Sequence, residues 1–444
     1  MKNKLHLVIF SSALHDNNSV LGSRLELFEG LRRFAELDIV YPSMLATSAA
    51  LGGQIDGGSR TGLTLKDTAH EKTLCFIATG GTEEIFRTYA EVLPRPVLLL
   101  SDGLHNSFAA SFEIKSYLAQ RGIASTLFNA PLDENPDFYA ELEESLFGDG
   151  AVPDTLTPSD PLPRFSRSVL KAFEKTRIGL IGGASGWLIS SGIDRETVEK
   201  TYGAKFQDIG LQELEATYAG IAADDPEAER IVARMEGFLT DGRTPADLRD
   251  AARMYAALRR ICTQYSLNAL TLKCFGILGS CRTTACLALS LLNDEGIIAG
   301  CEGDIPALWT MLYASYAFGE PAFMANPASS NRKECTVDFA HCTIPMKMVH
   351  GYRLPSHFES RTGIGIAGSV PSGPYRILKI SGEKLDRYYE TTGDLIMNTN
   401  IVQRCRTQIR FRFASEAEFD RFLRVSKGNH IILCRAAGQG GPSR

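Results

Sequence analysis

Short apolar runs alternate with amphipathic stretches over residues 1–150. Runs of strand character lie at Leu5–Phe10, Leu37–Val40, Thr73–Ala78, Val97–Leu100 and Ser125–Phe128. Between them, Leu21–Ala35, Thr82–Val92 and Ser107–Arg121 carry apolar residues at helical spacing. Alternation of the two periods predicts a parallel sheet covered by helices on both faces. Strands run into polar turns, Ser11-Ser12, Thr79-Gly80-Gly81-Thr82 and Ser101-Asp102-Gly103, on the side where such sheets hold ligands. The Pro-, Gly- and Asp-rich stretch Gly148–Pro163 reads as a linker. A second α/β unit follows, with strands at Arg177–Ile181 and Ala269–Phe275 and helices around Asp194–Tyr202, Pro226–Leu239, Pro245–Leu267 and Thr284–Glu295. The texture changes near Ile297. Beyond Met348, β-like runs recur at Gly363–Ser369, Tyr375–Ile380, Gln408–Phe413 and Ile431–Cys434, which predicts an antiparallel, β-rich C-terminal unit.

Composition narrows the function classes. The chain has 444 residues, 44% hydrophobic and 22% charged, with a formal net charge of −5. Its length suits about three domains, with expected extents of 1–160, 161–300 and 301–444. Without a basic excess, nucleic-acid binding is not expected. No apolar run approaches the ~20 residues of a membrane span. The apolar part of Met1–Phe10 is too short for a signal peptide and reads as a first strand. Ten cysteines occur with no C-x-x-C spacing, as expected of reduced thiols in a cytoplasmic protein.

Several segments carry candidate chemistry. In Glu302-Gly303-Asp304, two carboxylates flank a glycine between apolar segments. That placement is expensive unless the charges are paired or bound to a cation. It suits either a divalent ion such as Mn²⁺ or Mg²⁺ or an N-cap by Asp304 with Pro306 in the first turn. His341, His357 and His430 lie in apolar settings downstream and, with the two carboxylates, can complete one ion site. Asp102-Gly103-Leu104-His105-Asn106-Ser107 offers an acid and an imidazole at a strand-to-helix turn, with Asn106 equally suited to cap the helix. Thr82, followed by Glu83 and Glu84, also reads as a helix cap. The turn Gly179–Gly186 follows a strand, but its G-x-x-G-G-x-x-G spacing matches neither common phosphate-binding loop. Neither G-x-S-x-G nor H-E-x-x-H is present.

Taken in order, CEGDIPALWTMLY (Cys301–Tyr313), FMANP (Phe323–Pro327), AHCTIP (Ala340–Pro345), HFES (His357–Ser360) and GNHIIL (Gly428–Leu433) resemble the L-fucose isomerase-like family, relatives of L-fucose and L-arabinose isomerases. TGGTE (Thr79–Glu83), DGLHNS (Asp102–Ser107) and IGLIGG (Ile178–Gly183) fit the same group, so the likeness runs over nearly the whole chain. The resemblance implies two Rossmann-like α/β domains and a barrel-like C-terminal domain. It also implies homo-oligomers, commonly hexamers, with active sites at subunit interfaces. The implied activity is Mn²⁺-dependent interconversion of aldoses and ketoses through an enediol, with carboxylates moving the proton. Carried over to this chain, Glu302, Asp304 and His430 would hold the metal. Glu302, Asp304 and Glu359 would act in catalysis, and Asp102, His105, His341, His357 and Asn429 would face the sugar.

One departure stands out. The family has a further carboxylate some two dozen residues before the E-G-D segment. Here Ala251 through Asn293 contains no Asp or Glu, and Gly276 stands where an acid is expected. Glu359 is the candidate replacement. A sugar-binding or regulatory relative, and a nucleotide-binding enzyme using Gly179–Gly186, are the alternative readings. Arg332, Arg361 and Arg406 are candidates to meet a phosphate or sulfonate on the sugar.

Overall fold

The computed structural model describes residues 2–12, 17–42, 65, 67–131, 136–148 and 157–436. Linker residues 149–156 lie outside them. Strands β1 (Asn3–Phe10), β2 (Ala35–Val40), β3 (Glu71–Ile77), β4 (Val97–Ser101) and β5 (Ser125–Asn129) form a parallel sheet in the order β2-β1-β3-β4-β5. These are the five predicted runs. The continuous buried runs of the central strands β1, β3 and β4, as in VLLLS of β4, fit a sheet covered on both faces. The helix expected over Leu21–Ala35 is two, Asn17–Gly22 and Leu25–Phe34.

A second parallel sheet follows, with β7 (Arg177–Ile181), β8 (Lys205–Ile209), β9 (Ala269–Leu272) and β10 (Ile298–Cys301) in the order β10-β9-β7-β8. The long helix Pro245–Tyr265 starts at a full capping box between Thr244 and Asp247.

Beyond it the chain closes an antiparallel barrel. Its strands are β11 (Phe323–Asn331), β12 (Thr336–His341), β15 (Gly373–Ser381), β16 (Arg387–Asn398), β17 (Thr407–Phe413) and β18 (Ile431–Arg435). The order β15-β18-β11-β12-β17-β16 returns to β15, so the sheet has no free edge. β6 (Asp160–Pro161), at the linker's end, pairs with β16, while β13 (Gly351–Arg353) and β14 (Ala367–Ser369) make a separate ribbon. In β17 the period of two is plain: Ile409, Phe411 and Phe413 are buried, and Arg410 and Arg412 turn outward. The mixed architecture expected from the sequence, parallel α/β followed by an antiparallel barrel, is observed.

Two helices join the layers. Ser107–Gln120 is buried on every face except at its last two residues, because it packs between the first sheet and the barrel, with Phe112 against Phe422. Ile305–Phe318 places Trp309 in a stack with Phe173, ring centroids 4.2 Å apart. No helix among the described residues is long and apolar enough to cross a membrane. All ten cysteines are free.

Candidate active site

The turns after β3, β4, β7 and β10 meet the open end of the barrel at one pocket. From the first sheet come Gly80, Gly81, Glu83 and Asn106; from the second, Trp187, Phe275 and Glu302; from the barrel, Asn326, Glu359 and Asn429.

The E-G-D turn is built for close approach. Glu302 and Gly303 both have left-handed backbones, φ +62° and +75°, an unusual state for a glutamate. A Cβ on Gly303 would lie 2.2 Å from Gly183 O and 2.6 Å from Ala184 Cα, and Ser185 N donates to Glu302 O at 2.9 Å. The glycine-rich turn after β7 is therefore the seat of the E-G-D turn.

The two carboxylates take different places. Glu302 faces the pocket and accepts from Trp187 Nε1 at 2.6 Å. Asp304 is fully buried. One oxygen caps Ile305–Phe318 by accepting from Ala307 N at 2.7 Å, and the other meets His430 Nδ1 at 2.8 Å and Lys379 Nζ at 3.6 Å. The cap reading of this triplet holds for Asp304, while Glu302 faces the open pocket.

Electrostatics sort the groups. Burial opposes ionisation of both carboxylates. At Glu302 the charge and hydrogen bond of His430, with His341 and Trp187, together outweigh it; at Asp304 Lys379, His430 and the bond from Ala307 N together do so, so Glu302 is lowered and Asp304 is brought down to about 2. Burial likewise opposes a charge on His430, yet Glu302 and Asp304 raise it to about 9. His341, with Nδ1 2.8 Å from Thr343 Oγ1, is pushed down to about 3 by burial and by His430. His357, bonded to Ser360 and packed edge-on against Phe275, goes down to about 4, chiefly by burial.

Glu359 accepts from Asn106 Nδ2 at 2.9 Å and is pushed up to about 8, by burial first and by the charge of Glu302 second. Glu83 is held well above the usual carboxylate range by burial, reinforced by Glu113 and Glu302. One ionised carboxylate thus faces two carboxyls that retain protons, the separation that sorts acids from bases in an active site.

Of the residues expected at the site, Glu302, Glu359 and Asn429 line the pocket. His341 and His430 lie directly behind it, their rings 5.6 Å apart. Asp102 is engaged instead by buried Arg24, which donates to both its oxygens at 2.6 and 3.1 Å, and His105 Nδ1 lies 3.2 Å from the same guanidinium. These bonds shape the turn that presents Asn106, whose amide goes to Glu359 and caps no helix. Thr82 also caps nothing; its hydroxyl donates to Thr79 O at 3.0 Å. The acid-free stretch does supply a lining residue, Phe275. A Cβ on Gly276 would meet the tip of the Leu211 side chain at 2.6 Å, so a larger residue there requires Leu211 to shift.

Sequence reasoning passed over Glu83, Trp187, Phe275 and Asn326 as site residues. The TGGTE motif was the available signal for Glu83. Nothing local separates it from Glu84, which is exposed while Glu83 is 1% exposed.

The donor set fits a divalent cation. Ligand atoms of Cys301, Glu302 and His341 lie within 4.8 Å of one another, and His430 Nε2 is 3.6 Å from Glu302 Oε1, beyond hydrogen-bond distance. Four buried polar atoms at this pocket have no hydrogen-bond partner among the described residues: Glu83 Oε2, Asn326 Oδ1, Asn429 Oδ1 and His430 Nε2. Buried polar atoms are nearly always satisfied, so such a cluster around one pocket marks a place for a ligand. The Cys301 thiol, 3.0 Å from the Cys274 sulfur, is held neutral by that contact and by burial. The carboxylate and imidazoles are left as the better donors for such an ion.

The chain matches no protein-family model. It is similar to a sulfoquinovose isomerase of Alkalicoccus urumqiensis, 27% identical over 281 residues, 56% of this chain and 61% of the relative. It is also similar to a sulfoquinovose isomerase of Clostridium sp. (strain MSTE9), 26% identical over 174 residues, 35% of this chain and 39% of the relative. The matched segments span less than two thirds of either relative. Both names point in the same direction as the sugar-isomerase resemblance of the motifs.

Proposed function

We propose that this protein is a metal-dependent aldose–ketose isomerase whose substrate is a sulfonated sugar. The observation that carries the reading is the convergence of Glu83, Glu302, Glu359 and the His341–His430 pair on one pocket with four unsatisfied buried polar atoms. Glu302, His341 and His430 would hold the ion, and Mn²⁺ suits them. When bound, the ion acts as a Lewis acid on the substrate carbonyl. Asp304 fixes the His430 ring, leaving Nε2 toward the site. Isomerisation needs a proton removed from C2 and returned at C1, with the hydroxyl proton passing from O2 to O1 through an enediol. Glu359 takes the C2 proton in its ionised form and returns it to C1 as the acid so formed, and protonated Glu83 serves the oxygens. Asn106, Asn326 and Asn429 orient hydroxyls, while Trp187 and Phe275 exclude water.

Two cations, Arg406 and Arg361, lie near enough to His357 to lower its pKa. Arg406 donates to Ser356 O at 2.6 Å, and Arg361 lies over the Phe358 ring. Arg361 is exposed and is assigned to the sulfonate; Arg332 is paired instead with Glu416 and Asp420. The three sheets are read as domains 1–160, 161–300 and 301–444 of a cytoplasmic homo-oligomer, hexameric by resemblance, a state that light scattering measures directly.

The test is a panel of aldoses, sulfoquinovose among them, incubated with Mn²⁺ and assayed for ketose. Turnover should vanish in chelator, return with Mn²⁺ and be absent in Glu302→Gln. Arg361→Ala should raise KM for the sulfonated sugar alone. Binding of metal and sugar with no ketose formed would favour the sugar-binding reading, which the acid-free stretch 251–293 supports.

A further inference from the structure

A second cleft, about 530 Å³ in volume, lies on the other side of Asp304 and shares no lining residue with the first pocket. It is framed by Ser116 and Ala119 near the end of helix Ser107–Gln120, by Ser190, by Lys379 and Ser381 of β15, and by Gly428 before β18. Its volume falls in the range of small-molecule sites.

Lys379 is the telling residue. It is 1% exposed and lines this cleft, yet its ammonium has no hydrogen-bond partner among the described residues. The nearest acid, Asp304 Oδ2, is 3.6 Å away and already holds His430 Nδ1 at 2.8 Å. Asp304 meets the charge at 3.6 Å without a hydrogen bond, so the three donors of the ammonium are left unbonded, a state that is unfavourable for a buried polar group. The other buried lysine here, Lys427, is committed elsewhere: it donates to Phe422 O and Val425 O and sits over the rings of Phe112, Tyr389 and Phe422. Glu383, a carboxylate lining the cleft, is exposed beside Arg387 and stays in water.

We propose that this cleft is a second ligand site, taking a small hydroxylated molecule with one anionic group. The anion is met by Lys379 and the hydroxyls by Ser116 and Ser381. The proposal stands apart from the isomerase reading, because its readout is binding and not turnover.

The test is calorimetric titration of the full-length protein at constant ionic strength with glycerol 3-phosphate, 2,3-dihydroxypropane-1-sulfonate and glycerate, and with glycerol as the neutral control. These arms distinguish a phosphate, a sulfonate and a carboxylate as the anionic group. At least one anion should bind saturably, glycerol should not, and the Kd should rise tenfold or more in Lys379→Met and in Ala119→Trp, whose indole would fill the cleft. Ala119→Trp touches neither Asp304 nor His430 and decides the matter if Lys379→Met does not fold. Absence of saturable binding by all three anions into the ~10 mM range, equal binding of glycerol, or an unchanged Kd in Ala119→Trp would overturn the proposal.

Discussion

Asp304→Asn isolates what a buried carboxylate does when it does not face the pocket. The substitution keeps the side-chain volume and one oxygen to accept from Ala307 N, so the helix cap survives. It removes the charge that meets His430 Nδ1 at 2.8 Å and Lys379 at 3.6 Å, in a place with no solvent exposure. Removing one partner of a buried ion pair typically costs 3–5 kcal/mol, because the remaining charge stays buried and unpaired, so a loss of about 3–5 kcal/mol is expected at pH 7. His430 can relieve part of that cost by turning Nδ1 into the acceptor for the new amide. Its proton then sits on Nε2, the nitrogen needed at the ion. Loss of such an orienting partner weakens metal binding about 10–100-fold, or about 1.4–2.7 kcal/mol. Urea unfolding followed by circular dichroism reads the first quantity, and Mn²⁺ titration calorimetry the second. Stability within about 1 kcal/mol of wild type, with Mn²⁺ affinity unchanged, would refute the reasoning. Complete loss of Mn²⁺ binding in a folded variant would make Asp304 a direct ligand instead.

Gly303→Ala should destabilise the protein by more than about 3 kcal/mol, because the new Cβ meets backbone at 2.2 and 2.6 Å and the left-handed φ adds its own cost; thermal unfolding checks this. Glu359, brought up to about 8 by burial and by Glu302, should give kcat a limb that rises with pH to near 8 as the base ionises. Glu359→Gln should abolish that limb along with most turnover, and a pH profile unchanged by the substitution would rule Glu359 out as the base. Lys115, 2% exposed and donating to Leu423 O at 2.8 Å, is brought down to about 8 from 10.5 by burial and by Arg424. Its unfolded form binds the proton more strongly, so its contribution to stability should rise between pH 8 and 10.5 by about 3 kcal/mol and stay flat below 8. Lys115→Met should remove that slope, as denaturant melts across the range would record.

Much of the fold was legible in sequence because strand and helix periods are local. β1, β3, β4, β7 and β17 all lie where their hydrophobic patterns place them. Strand β11 was not legible as a strand: it contains Pro327, and its pairing with β12 shifts register between Pro327 and Ser329, the irregularity that lets a barrel strand carry a proline. Strand β16 was missed for a similar reason, since Gly393 and the shift between Leu395 and Met397 break its alternation.

The motifs Glu302-Gly303-Asp304, Glu359 and Asn429-His430 carried enough local signal to be named as candidate chemistry. Tertiary structure decided how they divide the work. Asp304 reaches His430, 126 residues away, and Asn106 reaches Glu359, 253 residues away; no local spacing encodes either pair. Glu83, a carboxyl far from the E-G-D motif in sequence, is carried into the same pocket by a different sheet. The composition and order of residues determined the elements and the kinds of chemistry available. Barrel closure and the docking of two parallel sheets against it decided which carboxyls share one desolvated space. That shared space sets their charges, and charge on a buried group depends on neighbours that only the folded chain supplies.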